Sequence, residues 1–129
     1  MLLLDTDIVI DLLRQYSPAT AWLSTQINEE IYIPGLVAME LIQGCANKRE
    51  VTIVQNFINP FPLLWPSPQV ADQALVIYAD GRLSHNIGIL DALIGQLAVS
   101  MKTPLHTFNQ KHFVAIPGLR TIQPYPHGQ

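Results

Sequence analysis

Residues 2–13 read LLLDTDIVIDLL, and this stretch decides the fold. Leu2 to Leu4 form a short, wholly apolar run that stops at Asp5, the pattern of a strand buried on both faces. Ile8, Val9, Leu12 and Leu13 then recur at helical spacing, with Thr6 or Asp7 available to cap the first turn. A buried strand that passes directly into a helix is the opening of a strand–helix alternation, and the remainder of the chain continues it.

Ser17-Pro18 restarts a helix, expected to run through Asn28. Ile31-Tyr32-Ile33 is a second short strand, stopped by Pro34-Gly35. Helices are expected from Leu36 to about Cys45 and from Lys48 to Phe57. Pro60, Pro62, Pro66 and Pro68 then leave room only for a short strand at Leu63-Leu64. Ala71, Ala74, Leu75 and Tyr78 mark an amphipathic helix to about Leu83. Leu90, Leu93, Ile94, Leu97, Ala98 and Met101 form the cleanest helical stripe, ended by Pro104. Leu105 to Phe108 reads as a strand and Thr121-Ile122 as a last edge strand. The alternation predicts an α/β fold with a mostly parallel sheet covered by helices on both faces. One domain over residues 1–129 is expected at this length.

Charged residues make up only 13% of the chain, which argues against disorder and coiled coil, and the apolar excess fits a doubly covered sheet or a surface covered by a partner. The longest apolar run is too short to span a bilayer and the start lacks signal-peptide features, so a cytoplasmic protein is expected. Cys45 is the only cysteine, which excludes an internal disulfide and a thiolate metal site. A net charge of −3 argues against a broad basic footprint on nucleic acid. It is compatible with a nuclease whose clustered carboxylates bind a divalent cation.

In a doubly wound sheet, ligands bind beyond the carboxyl ends of the strands. Asp5 follows the first strand, Glu40 lies about one turn into the helix after the second, Asp91 opens the helix before Leu105–Phe108, and Asn109 follows that strand. Each has an ordinary reading taken alone: Asp5 as a helix cap, Glu40 as a solvated side chain, Asp91 as an acid in a first helical turn. Together, on otherwise apolar elements, a shared cation explains them better, because an unpaired buried charge is very costly. Oxygen donors suit Mg²⁺, and a pair of such ions would serve phosphodiester hydrolysis. Thr6 and Thr107 flank the set and are placed to orient carboxylates or a water. Asp7 and Asp11 read as cap or surface residues, and His85, His106, His112 and His127 show no zinc spacing.

LLLDTDIVIDLL, VAMELIQG at 37–44, GILDALIGQLAV at 88–99 and TFNQKHFVAIPGLR at 107–120 resemble, in order, the successive motifs of PIN-domain proteins, most closely the VapC-type toxins of bacterial toxin–antitoxin pairs. The resemblance implies a three-layer α/β/α fold and Mg²⁺- or Mn²⁺-dependent endoribonuclease activity. It also implies a homodimer and a cognate VapB-like antitoxin. The family's acidic quartet falls on Asp5, Glu40, Asp91 and Asn109, with Asp5, Glu40 and Asp91 as metal ligands. The fourth place is an amide here, a weaker ligand, and His112 stands where some members carry a further acid.

The main rival is a phosphohydrolase with an aspartate nucleophile, because Asp5-Thr6-Asp7-Ile8-Val9 fits the DxDx[TV] pattern of haloacid-dehalogenase-like enzymes. That site needs a late acidic pair, and no Asp or Glu follows Asp91.

Overall fold

The computed structural model describes residues 1–127. Its elements follow in the order β1 (Leu2–Leu4), α1 (Thr6–Leu13), α2 (Ser17–Ser24), β2 (Ile31–Pro34), α3 (Gly35–Gln43), α4 (Lys48–Ile58), β3 (Leu63–Leu64), α5 (Pro68–Gly81), α6 (Ile89–Ser100), β4 (Leu105–His106) and β5 (Thr121–Ile122). A short 3₁₀ turn, Gln110–Phe113, lies between the last two strands.

The five strands pair in the order β3-β2-β1-β4-β5, and every pairing is parallel. The expected α/β/α architecture is therefore present, with a sheet that is wholly rather than mostly parallel. Leu3, Leu4, Ile33 and Leu105 on the central strands are completely buried, as are Ile8 and Val9 on α1. Strands enclosed on both faces must be apolar throughout, which is why β1 reads as an unbroken leucine run.

The strand order has one consequence for function. The chain lays β2 and β3 to one side of β1, then crosses over and lays β4 and β5 to the other. The order reverses between β1 and β4, and the carboxyl ends of those two strands flank the crevice that such a reversal leaves open.

Two elements are shorter than expected. Helix α2 stops at Ser24 instead of reaching Asn28. The hydroxyls of Ser24 and Thr25 bond back to the carbonyls of Ala21 and Trp22, at 2.7 and 2.6 Å, offering those carbonyls a partner other than the next turn. Strand β4 stops at His106 because the Phe108 N–H leaves the ladder to bond Asp7 Oδ2 at 2.8 Å.

Helix α6 is buried through its middle, at Ala92, Ile94, Gly95, Gln96, Leu97 and Ala98. A Cβ on Gly95 would lie 2.3 Å from Ile116 Cδ1, so only glycine lets the segment after the 3₁₀ turn pack this closely on the helix. Among the described residues no helix is long and apolar enough to cross a membrane.

Candidate active site

Asp5 is the residue from which the site is built. It ends β1 and caps α1, and it is 5% exposed. Its Oδ1 accepts the Thr6 N–H at 2.8 Å, and its Oδ2 accepts the Thr107 hydroxyl at 2.8 Å. Thr107 leaves β4 fully buried, and its Oγ1 in turn accepts the Asn109 N–H at 3.0 Å. One hydroxyl thus ties the ends of β1 and β4 together across the crevice.

Thr6 makes the corresponding link to α3, its hydroxyl donating to Glu40 Oε1 at 2.6 Å. Asp91 enters from the first turn of α6, where the Gly88 N–H turns back onto its carboxylate. A Cβ on Gly88 would stand 3.2 Å from Asp91 Oδ2, so the glycine keeps room for that carboxylate. His112 Nδ1 approaches the same oxygen at 4.0 Å.

The electrostatics follow from this convergence. Burial, then the charge of Asp7, push the Asp5 carboxyl up to about 7; Asp91 adds to the rise, and the hydrogen bonds from Thr107 and Thr6 hold it back. Burial likewise raises Asp91, with Glu40 adding and His112 opposing, and it raises Asp7 against the pull of the Phe108 and Ile8 N–H groups. Among the described residues no Lys or Arg forms an ion pair with Asp5, Asp7, Glu40 or Asp91. Among the described residues the site is therefore a concentration of negative charge that no Lys or Arg offsets, with His112 against Asp91 as its basic neighbour.

Asp5, Thr6, Glu40, Asp91 and Thr107 are linked by hydrogen bonds or by direct charge coupling. Asn109 joins through its backbone, and among the described residues its side-chain amide has no hydrogen bond to the three carboxylates. Among the described residues no three His, Cys, Asp or Glu side chains close into a ready-made ion cage. The donor set nevertheless fits a hard divalent cation that keeps several waters, since its oxygens are carboxylates and hydroxyls and its surplus charge is negative.

Two residues carry more than their sequence context indicated. Asp7 is no plain cap: its Oδ2 takes the Phe108 N–H and fixes the exit from β4, while its Oδ1 takes the Ile8 N–H at 2.9 Å. Its place two residues after Asp5 was the only available signal. His112 faces Asp91, and its signal was its position one turn past Asn109. Asp11 lies outside the site, where it accepts the Tyr125 hydroxyl at 2.7 Å and meets His127 Nε2 at 3.0 Å.

Two grooves adjoin the carboxylates. One of about 510 Å³ runs between α1, α3 and α4, lined by Leu13, Arg14, Glu40, Gly44 and Ile53 among others. Another of about 440 Å³ lies between α3, the end of α5 and the start of α6, and holds both Glu40 and Asp91.

Residues 2–119 match the family described as PIN domain. Among solved structures, the chain is similar to one described as a toxin–antitoxin complex from Klebsiella pneumoniae, at 25% identity and a TM-score of 0.75, covering 97% of this chain and 98% of the other. It is also similar to DNA-bound VapBC from Salmonella typhimurium, at 26% identity and a TM-score of 0.79, covering 95% and 98%. FitAcB from Neisseria gonorrhoeae shares the fold at 22% identity and a TM-score of 0.76, covering 96% and 98%. No curated protein sequence gives a significant match.

Proposed function

The chain belongs to the PIN domain family, and from that premise we propose that it is a divalent-metal-dependent endoribonuclease, the toxin of a toxin–antitoxin pair. One observation carries the reading: Asp5 is buried at the switch point of the sheet, beside Asp7 and Asp91, and among the described residues it has no basic partner. Burial makes the anionic form of a carboxylate in that position costly, and a cation beside it offsets that cost.

In this reading Asp5 and Asp91 would hold the primary ion. Glu40, oriented by Thr6, would hold a second ion or align the attacking water. Thr107 keeps the Asp5 carboxylate in one rotamer. The Asn109 amide, which no carboxylate engages, is left to hydrogen-bond a water or an RNA oxygen. When bound, Mg²⁺ or Mn²⁺ supplies the Lewis acidity that makes water nucleophilic near neutral pH and offsets charge building on the phosphodiester.

The partners that go with this function are an RNA substrate, a VapB-like antitoxin and a second copy of the chain. Support comes from the family and from the toxin–antitoxin complexes that share the fold over nearly the whole length of both chains. The same coverage supports one PIN-like domain spanning residues 1–129, and an RNA substrate places its action in the cytoplasm. The aspartate-nucleophile reading is disfavoured, since that chemistry needs a late acidic pair and the chain has no Asp or Glu beyond Asp91.

The deciding experiment incubates purified protein with total RNA and with a small phosphate ester, in Mg²⁺ or Mn²⁺, with and without chelator. Metal-dependent RNA cleavage that Asp5→Asn or Asp91→Asn abolishes is the expected result. Ester hydrolysis through a phospho-aspartate, or full RNA cleavage by either variant, rejects the assignment.

A further inference from the structure

The groove between α5 and α6 contains a feature that the carboxylate chemistry does not use. Its lining includes Glu40 and Asp91, and also Tyr78 and Arg82 from the end of α5, Asn86 from the loop, and Ile89 from the first turn of α6. Among the described residues that line it, Arg82 is the only Lys or Arg. The side chain is exposed, and among the described residues it forms no ion pair, although two carboxylates line the same groove. A guanidinium that shares a cleft with acids without neutralising them is available for an anion brought in from outside.

The rest of the lining narrows what that anion belongs to. At about 440 Å³ the groove falls in the size range of small-ligand sites. Tyr78 and the 61% exposed Ile89 give it a flat aromatic surface and an apolar wall, while Asn86 gives it an amide. Asn86 has φ of 53°, a left-handed conformation in which asparagine is tolerated better than most residues. A cation, an aromatic ring and an amide beside the cutting carboxylates match the phosphate, base and sugar of one nucleotide.

We propose that this groove is the subsite for the nucleotide adjoining the scissile phosphate, with the Arg82 guanidinium on that nucleotide's phosphate and Tyr78 against its base or ribose. The proposal rests on the nuclease reading above and deepens it: it makes Arg82 a substrate-positioning residue, distinct from the groups that act on the bond. It also explains how a chain of net charge −3 holds RNA, since a cation placed at the site matters more than the overall balance.

The test separates the two levels. In the Asp5→Asn background, binding of a short fluorescein-labelled single-stranded RNA is followed by anisotropy in Mg²⁺, with and without Arg82→Gln and Arg82→Lys. Arg82→Gln should weaken binding about tenfold or more, as loss of one charged hydrogen bond does. It should also flatten the slope of log affinity against log salt by about 0.7, and Arg82→Lys should restore most of that slope. In the otherwise native protein, Arg82→Gln should raise KM for RNA while kcat stays within a few-fold. Equal RNA binding by Arg82→Gln overturns the subsite. So does weaker self-association in sedimentation with RNA affinity unchanged, which would assign Arg82 to a contact between copies. If the native protein neither cleaves nor binds RNA in either metal, the nuclease reading itself falls, and this proposal with it.

Discussion

At the scale of single residues, the charge on Asp5 makes the sharpest predictions. Its carboxyl is raised from 3.8 to about 7 by burial and by its acidic neighbours, so the folded state prefers the protonated form. A raised carboxyl adds stability that is full below the unfolded value and is lost as pH rises through the folded one. Metal-free protein should therefore resist urea better at about pH 5 than at about pH 8, and Asp5→Asn should shrink the difference. Asp7 and Asp91 act in the same sense, whereas His106, lowered by burial, acts against it. Equal urea midpoints for the native protein at the two pH values would contradict the site's electrostatics. The same Asp5→Asn change should cut RNA cleavage roughly a hundredfold or more while the fold persists, because removing one charge from the cluster relieves repulsion. Thr107→Val keeps the shape but deletes the 2.8 Å bond to Asp5. It should cost about 10- to 100-fold in activity or metal affinity, the usual effect of losing a group that orients a ligand; an unchanged Mn²⁺ requirement in the variant would count against that role. Asp5, Glu40 and Asp91 stood out in the sequence because each interrupts or borders an apolar element. Asp7 and His112 did not, because an acid in a first helical turn and a histidine in a short turn have common structural explanations.

At the scale of elements, the sequence marked where helices and strands lie but not where competing hydrogen bonds end them. Helix α2 and strand β4 both stop where side chains bond backbone groups: the Ser24 and Thr25 hydroxyls at the end of the helix in one case, Asp7 in the other. The seating of α6 is set by Gly95, whose place inside a good helical stripe gives no local hint of the Ile116 methyl lying against it. Gly95→Ala gains helix propensity, worth up to about 1 kcal/mol, but forces Ile116, Leu119 and Phe113 to give way. Overpacking of this kind costs about 1–3 kcal/mol, so a net loss of stability is expected, read as a lower urea midpoint. Since α6 carries Asp91 in its first turn, cleavage by the variant should fall by more than its folded fraction does. Activity that simply tracks the folded population would show that the seating of α6 does not reach the site.

At the scale of the whole molecule, the uncompensated carboxylates predict that Mn²⁺ or Mg²⁺ raises the melting temperature. Binding to the folded state alone adds about 2.7 kcal/mol at a hundredfold excess over Kd. Asp5→Asn should abolish most of that gain, and a chelator should reverse it; a melting temperature indifferent to both ions would argue that the carboxylates do not share a cation. By itself the sequence determined the α/β class and the parallel sheet, and it singled out Asp5, Glu40 and Asp91 as candidates, because hydrophobic period and an acid set beside an apolar run are local properties of each segment. Tertiary structure alone decided that β4 lies beside β1 in the order β3-β2-β1-β4-β5. It thereby set Thr107 on Asp5, the Phe108 N–H on Asp7 and His112 against Asp91. Periodicity fixes which face of a segment is buried. Which strand it pairs with is settled only when every apolar face competes for the same core; the contacts to Asp5 and Asp7 span 102 and 101 positions of chain, and the approach of His112 to Asp91 joins the turn after β4 to the start of α6.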